Sequence, residues 1–221
     1  MKFYFICFSD YKYEQYRRNL CVQANNLFDG VFEYTHDWLK TTQLYKDNEQ
    51  LLKQSTGLGY FAWKPFIILE TLKVINHGDI VFYLDCGDIF KNTLISFLKT
   101  YFTHNDILLV DGAYKNCEWT KYDCFHLMGC DKPRYHNILQ LEAGICGFKK
   151  TYRNIIFLTE WLYWCLIEEV VGDVPNKYGN NYSNFKEHRH DQSILTNLKV
   201  KYDLLSCNSI RTIIKCNINE I

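Results

Sequence analysis

Hydrophobic and polar positions alternate in two rhythms along the chain. Short unbroken apolar runs fit strands buried on both faces, and between them lie longer stretches with apolar residues at helical spacing. Residues 2–8 are the first such run, after which Ser9 and Asp10 offer cap-type side chains to a helical stretch over 11–25. Residues 31–35 read as a second short strand. Residues 36–54 are polar but carry Trp38, Leu39, Leu44, Leu51 and Leu52, which predicts a helix there. Gly57, Leu58 and Gly59 break the pattern as a flexible turn. Lys64-Pro65 then opens a helix whose apolar positions Ile67, Ile68, Leu69, Leu72, Val74 and Ile75 pack on a sheet, and Asn76-His77-Gly78 ends it.

Residues 80–84 (IVFYL) make the clearest strand, and it runs straight into Asp85-Cys86-Gly87-Asp88. A helix over 93–102 and a strand over 107–110 follow. Residues 111–140 are irregular and rich in Tyr, Trp, His and Cys, and loops of that length inside compact domains are usually functional. The alternation resumes with a strand at 143–148 and the longest helix at 151–170. A polar, Asn- and Tyr-rich surface loop at 171–187, expected to be mobile, leads to a helix at 191–200 and a last short strand at 202–205. Strands alternating with helices predict an α/β fold with a mostly parallel central sheet and helices on both faces. No repeat or linker interrupts it, so one domain over residues 1–221 is expected.

Composition narrows the function. A hydrophobic fraction of 48%, 17% of the chain being aromatic, is that of a well-filled globular core. Lys plus Arg (25) balances Asp plus Glu (25), so no global field draws in nucleic acid, and Arg17-Arg18 reads as a solvated helix face. No run approaches the ~18 apolar residues of a transmembrane segment, and the opening run is too short for a signal-peptide core. The expected location is therefore cytoplasmic, with the ten cysteines as thiols. Cys117, Cys124, His126 and Cys130 form the one dense group. They lack the paired C-x2-C spacing of a structural zinc site, which favours buried thiols.

Three groups could carry chemistry. Asp85 and Asp88 stand at the carboxyl end of a buried strand, where open α/β sheets bind ligands, with Gly87 allowing a tight turn between them. Two close carboxylates repel unless a cation compensates, and oxygen ligands of this kind suit Mg2+ or Mn2+ bridged to phosphates. The plainer reading is a turn cap and a solvated acid. In the second group, His188-Arg189-His190-Asp191-Gln192 precedes an apolar helix. It offers a base, a metal-binding imidazole and an anion-binding guanidinium at one helix N-terminus, or simply an acid favourable to the helix dipole. The third group, GLGYFAWKP over 57–65, places a lone Lys64 after glycines and aromatics, as in a loop that contacts a pyrophosphate, without the signature of a Walker P-loop.

Taken together, GYFAWKP (59–65), GDIVFYLDCGD (78–88), QLEAGI (140–145) and HRHDQSIL (188–195) resemble, in order and spacing, a group of small GT-A glycosyltransferases of bacteria and large DNA viruses. The resemblance spans about residues 55–200, with Trp119, Lys121 and Glu160-Trp161 also in family-like places. It implies a nucleotide-diphosphate sugar donor, most commonly a UDP-sugar, a glycan acceptor, and Mn2+ or Mg2+ held by the acidic motif. The usual motif is Asp-x-Asp, whereas the acids here are three apart, so the metal role carries over more firmly to Asp85 than to Asp88, with His190 as a further ligand. A donor-binding half over about 1–110 would use Phe8, Ser9, Tyr11, Trp63, Lys64 and Asp85, with Arg189 sharing the diphosphate charge. A catalytic and acceptor half over 111–221 would supply Asp191 or Glu142 as the base, and Trp119 and Lys121 toward the acceptor. Trp161 and Trp164, at helical spacing, read as core. The competing expectations are a metal-dependent phosphohydrolase or nucleotidyltransferase, and a sugar-binding domain without catalysis.

Overall fold

The computed structural model describes residues 1–216, so the last five residues of the expected domain lie outside the described residues. Five strands form the central sheet: β1 (Phe3–Ser9), β2 (Gly30–Thr35), β3 (Ile80–Leu84), β5 (Ile107–Lys115) and β6 (Leu139–Lys149). Their order is β2-β1-β3-β6-β5, with β1 parallel to β2 and β3, and β6 antiparallel to both β3 and β5. Four strands thus share one direction, and the mostly parallel sheet read from the alternation is what the chain builds.

The unbroken apolar runs have a physical reason. In β1, Phe3, Phe5 and Cys7 enter one core while Ile6 and Phe8 enter the other; in β3, Ile80, Phe82 and Leu84 oppose Val81 and Tyr83 in the same way. Successive side chains point to opposite faces, so a strand covered on both sides must be apolar throughout. The helices α1 (Glu14–Asn25) and α3 (Leu94–His104) cover one face through Leu20, Ala24, Leu98 and Phe102. The other face is covered by α2 (Trp63–Val74), α4 (Tyr152–Cys165) and α5 (His190–Lys201) through Ile68, Leu72, Leu158, Trp161 and Leu195. Trp161 is fully buried, as its spacing predicted, and its indole N–H donates to the Asp191 carbonyl at 3.0 Å.

Several expectations need correcting. Residues 36–54 form three short helices, His36–Thr41, Gln43–Asp47 and Glu49–Leu52, because Thr35 and Thr42 each cap a new one. The expected strand at 202–205 is absent: Asp203 turns in the left-handed region (φ 53°) and the chain runs on irregularly. Instead the C-terminal segment returns as a 3-10 turn (Asn208–Thr212) and β7 (Ile214–Cys216), which pairs antiparallel with β4 (Asp88–Phe90). The segment 111–140 is less irregular than expected. It extends β5 to Lys115, adds helices Tyr122–Leu127 and Pro133–His136, and begins β6 at Leu139. Cys117, Cys124 and Cys130 are buried free thiols, and no group of three or more potential metal ligands assembles among the described residues. No helix of the described residues is long and apolar enough to cross a membrane.

Candidate active site

Because β1, β2 and β3 run parallel, their carboxyl ends open on one edge of the sheet. The residues leaving them border a cleft of about 800 Å³. Of the residues singled out in the sequence, Phe8, Ser9, Tyr11, Trp63 and Asp85 line it. Tyr11 is 80% exposed at the rim, whereas the Phe8 and Trp63 rings stack on each other with centroids 3.8 Å apart. Ser9 turns inward and accepts from Arg17 Nε at 3.0 Å, and Arg17 pairs with Glu33 of β2.

Asp85 is the charged focus of the cleft. It follows β3 directly, its side chain is 48% exposed, and its Oδ1 accepts from the buried Tyr83 hydroxyl two residues earlier on the same strand face. Burial, reinforced by Asp85, raises the Tyr83 phenol well above its ordinary value, so it stays a donor. On the far side, Oδ2 faces Gly144 of β6, where any Cβ would come within 2.5 Å of it. Gly144 therefore makes the room that the carboxylate occupies.

Behind Asp85 lies a buried ion pair. Lys64, at the start of α2 and 3% exposed, places Nζ 3.7 Å from Asp85 Oδ1 and 3.2 Å from Asp191 Oδ2. Burial works against its charge, but Asp191 and then Asp85 outweigh it and hold the ammonium well above its ordinary value. Asp191, on the first turn of α5, is equally buried. Desolvation, opposed by Lys64 and reinforced by Asp85, pushes its carboxyl up to about 6. Its Oδ2 meets Lys64 Nζ as an ion pair and has no other polar partner among the described residues. The Lys64 ammonium also sits near the Phe61, Trp63 and Tyr83 rings, at 5.3, 5.8 and 5.2 Å from their centroids.

The cleft wall between α2 and the rest is unusual backbone. The five residues from Gly57 to Phe61 all have positive φ, between 54° and 90°, and Tyr60 and Phe61 N–H donate to Thr56 and Gly57 carbonyls at 2.7 and 3.1 Å. The turn is left-handed, a conformation that costs non-glycine residues roughly 1–2 kcal/mol each. Trp63 Nε1 holds it by donating to the Gly57 carbonyl at 2.9 Å, and the ring of His190 lies against Tyr60 at 4.9 Å.

The other predicted residues are placed away from the cleft floor. Asp88 is the first residue of β4 and does not line the cleft. His190 directs Nδ1 to the Val171 carbonyl at 2.9 Å. Arg189 lies over the Trp119 ring at 4.5 Å and pairs with Glu187, so its guanidinium faces this surface rather than Asp85. Lys121 is buried and donates to the Gly172 and Val174 carbonyls; desolvation lowers its ammonium. With Asp123 accepting from the Lys177 and Tyr178 N–H groups, it ties down the loop that the sequence suggested would be mobile. Glu142 is half-exposed on β6, two residues before Gly144 and on the same strand face.

Which of these could hold a divalent cation is decided by the donor set. Asp85 is an accessible hard oxygen ligand on the cleft, which Asp88 and His190 do not line, and no group of three or more potential ligands assembles among the described residues. Mg2+ and Mn2+ sites built from one or two carboxylates, with substrate phosphates and water completing the shell, fit such a single acid.

No family model matches the chain, and no curated protein matches it. Among solved structures, the chain is similar to mouse xyloside xylosyltransferase 1 in its apo form, with a TM-score of 0.50, 11% identity, and coverage of 94% of this chain and 84% of that one. The likeness is one of fold. The chain has a glycosyltransferase-like α/β fold, with its candidate site at the carboxyl edge of the sheet.

Sequence reasoning missed three features here. The space at Gly144 lay inside the QLEAGI block, but nothing local says which neighbour needs it. The left-handed turn was signalled only by two glycines. The C-terminal residues around Arg211 carried no motif at all.

Proposed function

We propose that this protein is a GT-A glycosyltransferase that moves a sugar from a nucleotide-diphosphate donor, a UDP-sugar, to a hydroxyl of a glycan or glycoconjugate, with Mn2+ or Mg2+ bound. One observation carries the reading: a half-exposed Asp85 carboxylate on the floor of a nucleotide-sized cleft, seated in the gap left by Gly144 and backed by the buried Lys64–Asp191 pair. Asp85 would hold the cation, which supplies charge neutralisation of the diphosphate leaving group.

The chain's own residues do the rest. Tyr11 offers a flat exposed ring at the rim, suited to a nucleobase. Tyr83 and Lys64 fix Asp85 from below, and Lys64 adds positive charge beneath the site without reaching the cleft itself. Pre-set charge of this kind lowers a barrier because it need not reorganise as charge develops. In transfer, the acceptor oxygen bonds to the anomeric carbon while the bond from that carbon to the diphosphate oxygen breaks, and the nucleoside diphosphate leaves with the electron pair. For an inverting reaction the acceptor proton passes to a carboxylate. Asp191 is buried behind Lys64, so this reading gives that role to Glu142, which stands in solvent at the edge of the sheet.

The test is Asp85→Ala. With UDP-sugars and Mn2+, the wild type should show a cation-dependent thermal shift and release of free sugar with UDP. The variant should stay folded and lose both. Unchanged turnover in the variant ends the Asp85 reading, and release of phosphate or pyrophosphate instead of free sugar points to the hydrolase or nucleotidyltransferase class.

A further inference from the structure

We propose that Arg211, on the C-terminal segment, is a positioning residue that fixes the Glu142 carboxylate for proton abstraction. This rests on the glycosyltransferase reading above, and names a residue that neither the motifs nor the cleft lining contains.

The argument starts with the sheet. β3 ends at Leu84, which pairs with Ile145, so Gly144 stands level with Asp85 and donates room to it. Glu142 lies two residues further along β6, about 7 Å past Gly144 at the strand repeat and beyond the carboxyl edge of β3. There β5 and β6 continue as a pair, with Asp111 opposite Leu141 and Lys115 opposite Leu139, and form a wall beside Asp85. Gly112 in this wall has no side chain, and a Cβ there would sit 3.7 Å from Glu142 Cγ, so the acid's stem crosses over it. Glu142 is thus an acid rooted next to Asp85 whose carboxyl group no neighbour on its own strand fixes.

Arg211 supplies the fixing. Its guanidinium is 2.6 Å from Glu142 Oε2 and also donates to the Asp111 carbonyl of the same wall. A single nitrogen, Nη2, makes both contacts, so the guanidinium ties the carboxylate to the backbone that its stem crosses. Both side chains keep over a third of their surface open, 37% for Arg211 and 39% for Glu142, so an acceptor hydroxyl can approach the acid.

The segment that carries Arg211 is itself anchored on both sides of the site. Cys207 N–H donates to the Leu109 carbonyl at 2.7 Å, and Asn208 Oδ1 accepts from Asp111 N–H at 3.0 Å. Ile210 is fully buried. Beyond Arg211, Lys91 holds the Thr212 and Ile213 carbonyls at 2.9 and 3.0 Å, and β7 pairs with β4, where Asp88 faces Cys216. The segment bridges the strand that leaves Asp85 and the wall that carries Glu142.

The experiment compares wild type, Arg211→Ala, Glu142→Gln and the double variant in turnover of UDP-hexoses with Mn2+, in water alone and with p-nitrophenyl glycosides as acceptors. In Arg211→Ala, kcat should fall at least about tenfold, toward the ~10²-fold that a misplacement of ~1 Å costs. Donor KM and the donor-induced thermal shift should stay at wild-type values, and millimolar guanidinium should restore part of kcat. The double variant should be no worse than Glu142→Gln alone. Arg211→Ala within twofold of the wild-type kcat, or losses that simply add in the double variant, overturn the proposal while Glu142 keeps its role. If Glu142→Gln turns over normally, or the wild type consumes no UDP-hexose, the underlying reading fails and the proposal falls with it.

Discussion

Replacing Lys64 by methionine removes a charge from the best-buried ion pair among the described residues and leaves a side chain of similar length. At an effective dielectric of ~20, an ammonium 3.2 Å from the buried Asp191 Oδ2 attracts it by about 5 kcal/mol, whereas the pull on Asp85, 3.7 Å away and half-open, is screened by solvent and weaker. With one pKa unit worth ~1.4 kcal/mol, losing that attraction should lift the Asp191 carboxyl from about 6 by roughly three and a half units. Asp191 then takes up a proton at neutral pH.

The consequence for stability has a definite sign. A carboxyl whose folded pKa lies above its unfolded value of 3.8 stabilises fully below that value, and loses the contribution as pH rises through the folded pKa. In the wild type that loss ends near pH 6. In Lys64→Met it continues through pH 8, at ~1.4 kcal/mol per pH unit, so the variant's extra destabilisation should be about 3 kcal/mol larger at pH 8 than at pH 5. Urea unfolding of both proteins at the two pH values measures it, with titrating groups that do not contact Lys64 cancelling in the difference. Adding Asp191→Asn should abolish the pH dependence. Equal destabilisation at pH 5 and pH 8, within about 0.5 kcal/mol, would refute the coupling inferred from the geometry.

Two further outcomes test the architecture around the cleft. Gly144→Ala should expel the Asp85 carboxylate, since its Cβ would lie 2.5 Å from Oδ2; cation-dependent donor binding should weaken about tenfold or more while the thermal unfolding midpoint changes little, and retained binding would show that Asp85 has room elsewhere. Gly59→Ala should destabilise by ~2 kcal/mol or more, because φ is +90° and the new Cβ would meet Leu52 Cα, a backbone atom, at 2.6 Å; a neutral effect in urea unfolding would remove the left-handed turn.

The strands that bound the cleft were legible because burial on both faces writes itself as an unbroken apolar run, and Ile80–Leu84 matched residue for residue. Asp85 was legible for the same reason, as the first acid after such a run. Lys64 and Asp191 were each singled out in separate blocks, but their pairing was not visible. Nothing local to WKP or HRHDQ says that the lysine reaches toward both acids, 21 and 127 positions away by sequence number, or that burial would close Asp191 off from the cleft. Arg189, read as a phosphate-binding guanidinium from its place at a helix N-terminus, stacks on Trp119 and pairs with Glu187. Residues 202–216 were misread or passed over, since a 3-10 turn and a three-residue strand leave too few periods for any hydrophobic rhythm.

The acids of the site are separated by environment more than by sequence. Asp85, Asp191 and Glu142 each touch one cation or a pair: Asp85 and Asp191 share Lys64, and Glu142 has Arg211. Burial decides what each can do with it. Asp191, sealed in and short of a hydrogen bond, can hold Lys64 but cannot meet an acceptor; Asp85, half-open, can meet a cation or a phosphate-bound partner; Glu142, open at the wall, can take a proton from solvent-borne substrate. A functional division of three chemically equivalent carboxylates follows from how far each stands from water. Under the proposed function, donor chemistry would sit at the end of β3 and acceptor chemistry on β6, with the C-terminal segment joining the strand after Asp85 to the wall that carries Glu142.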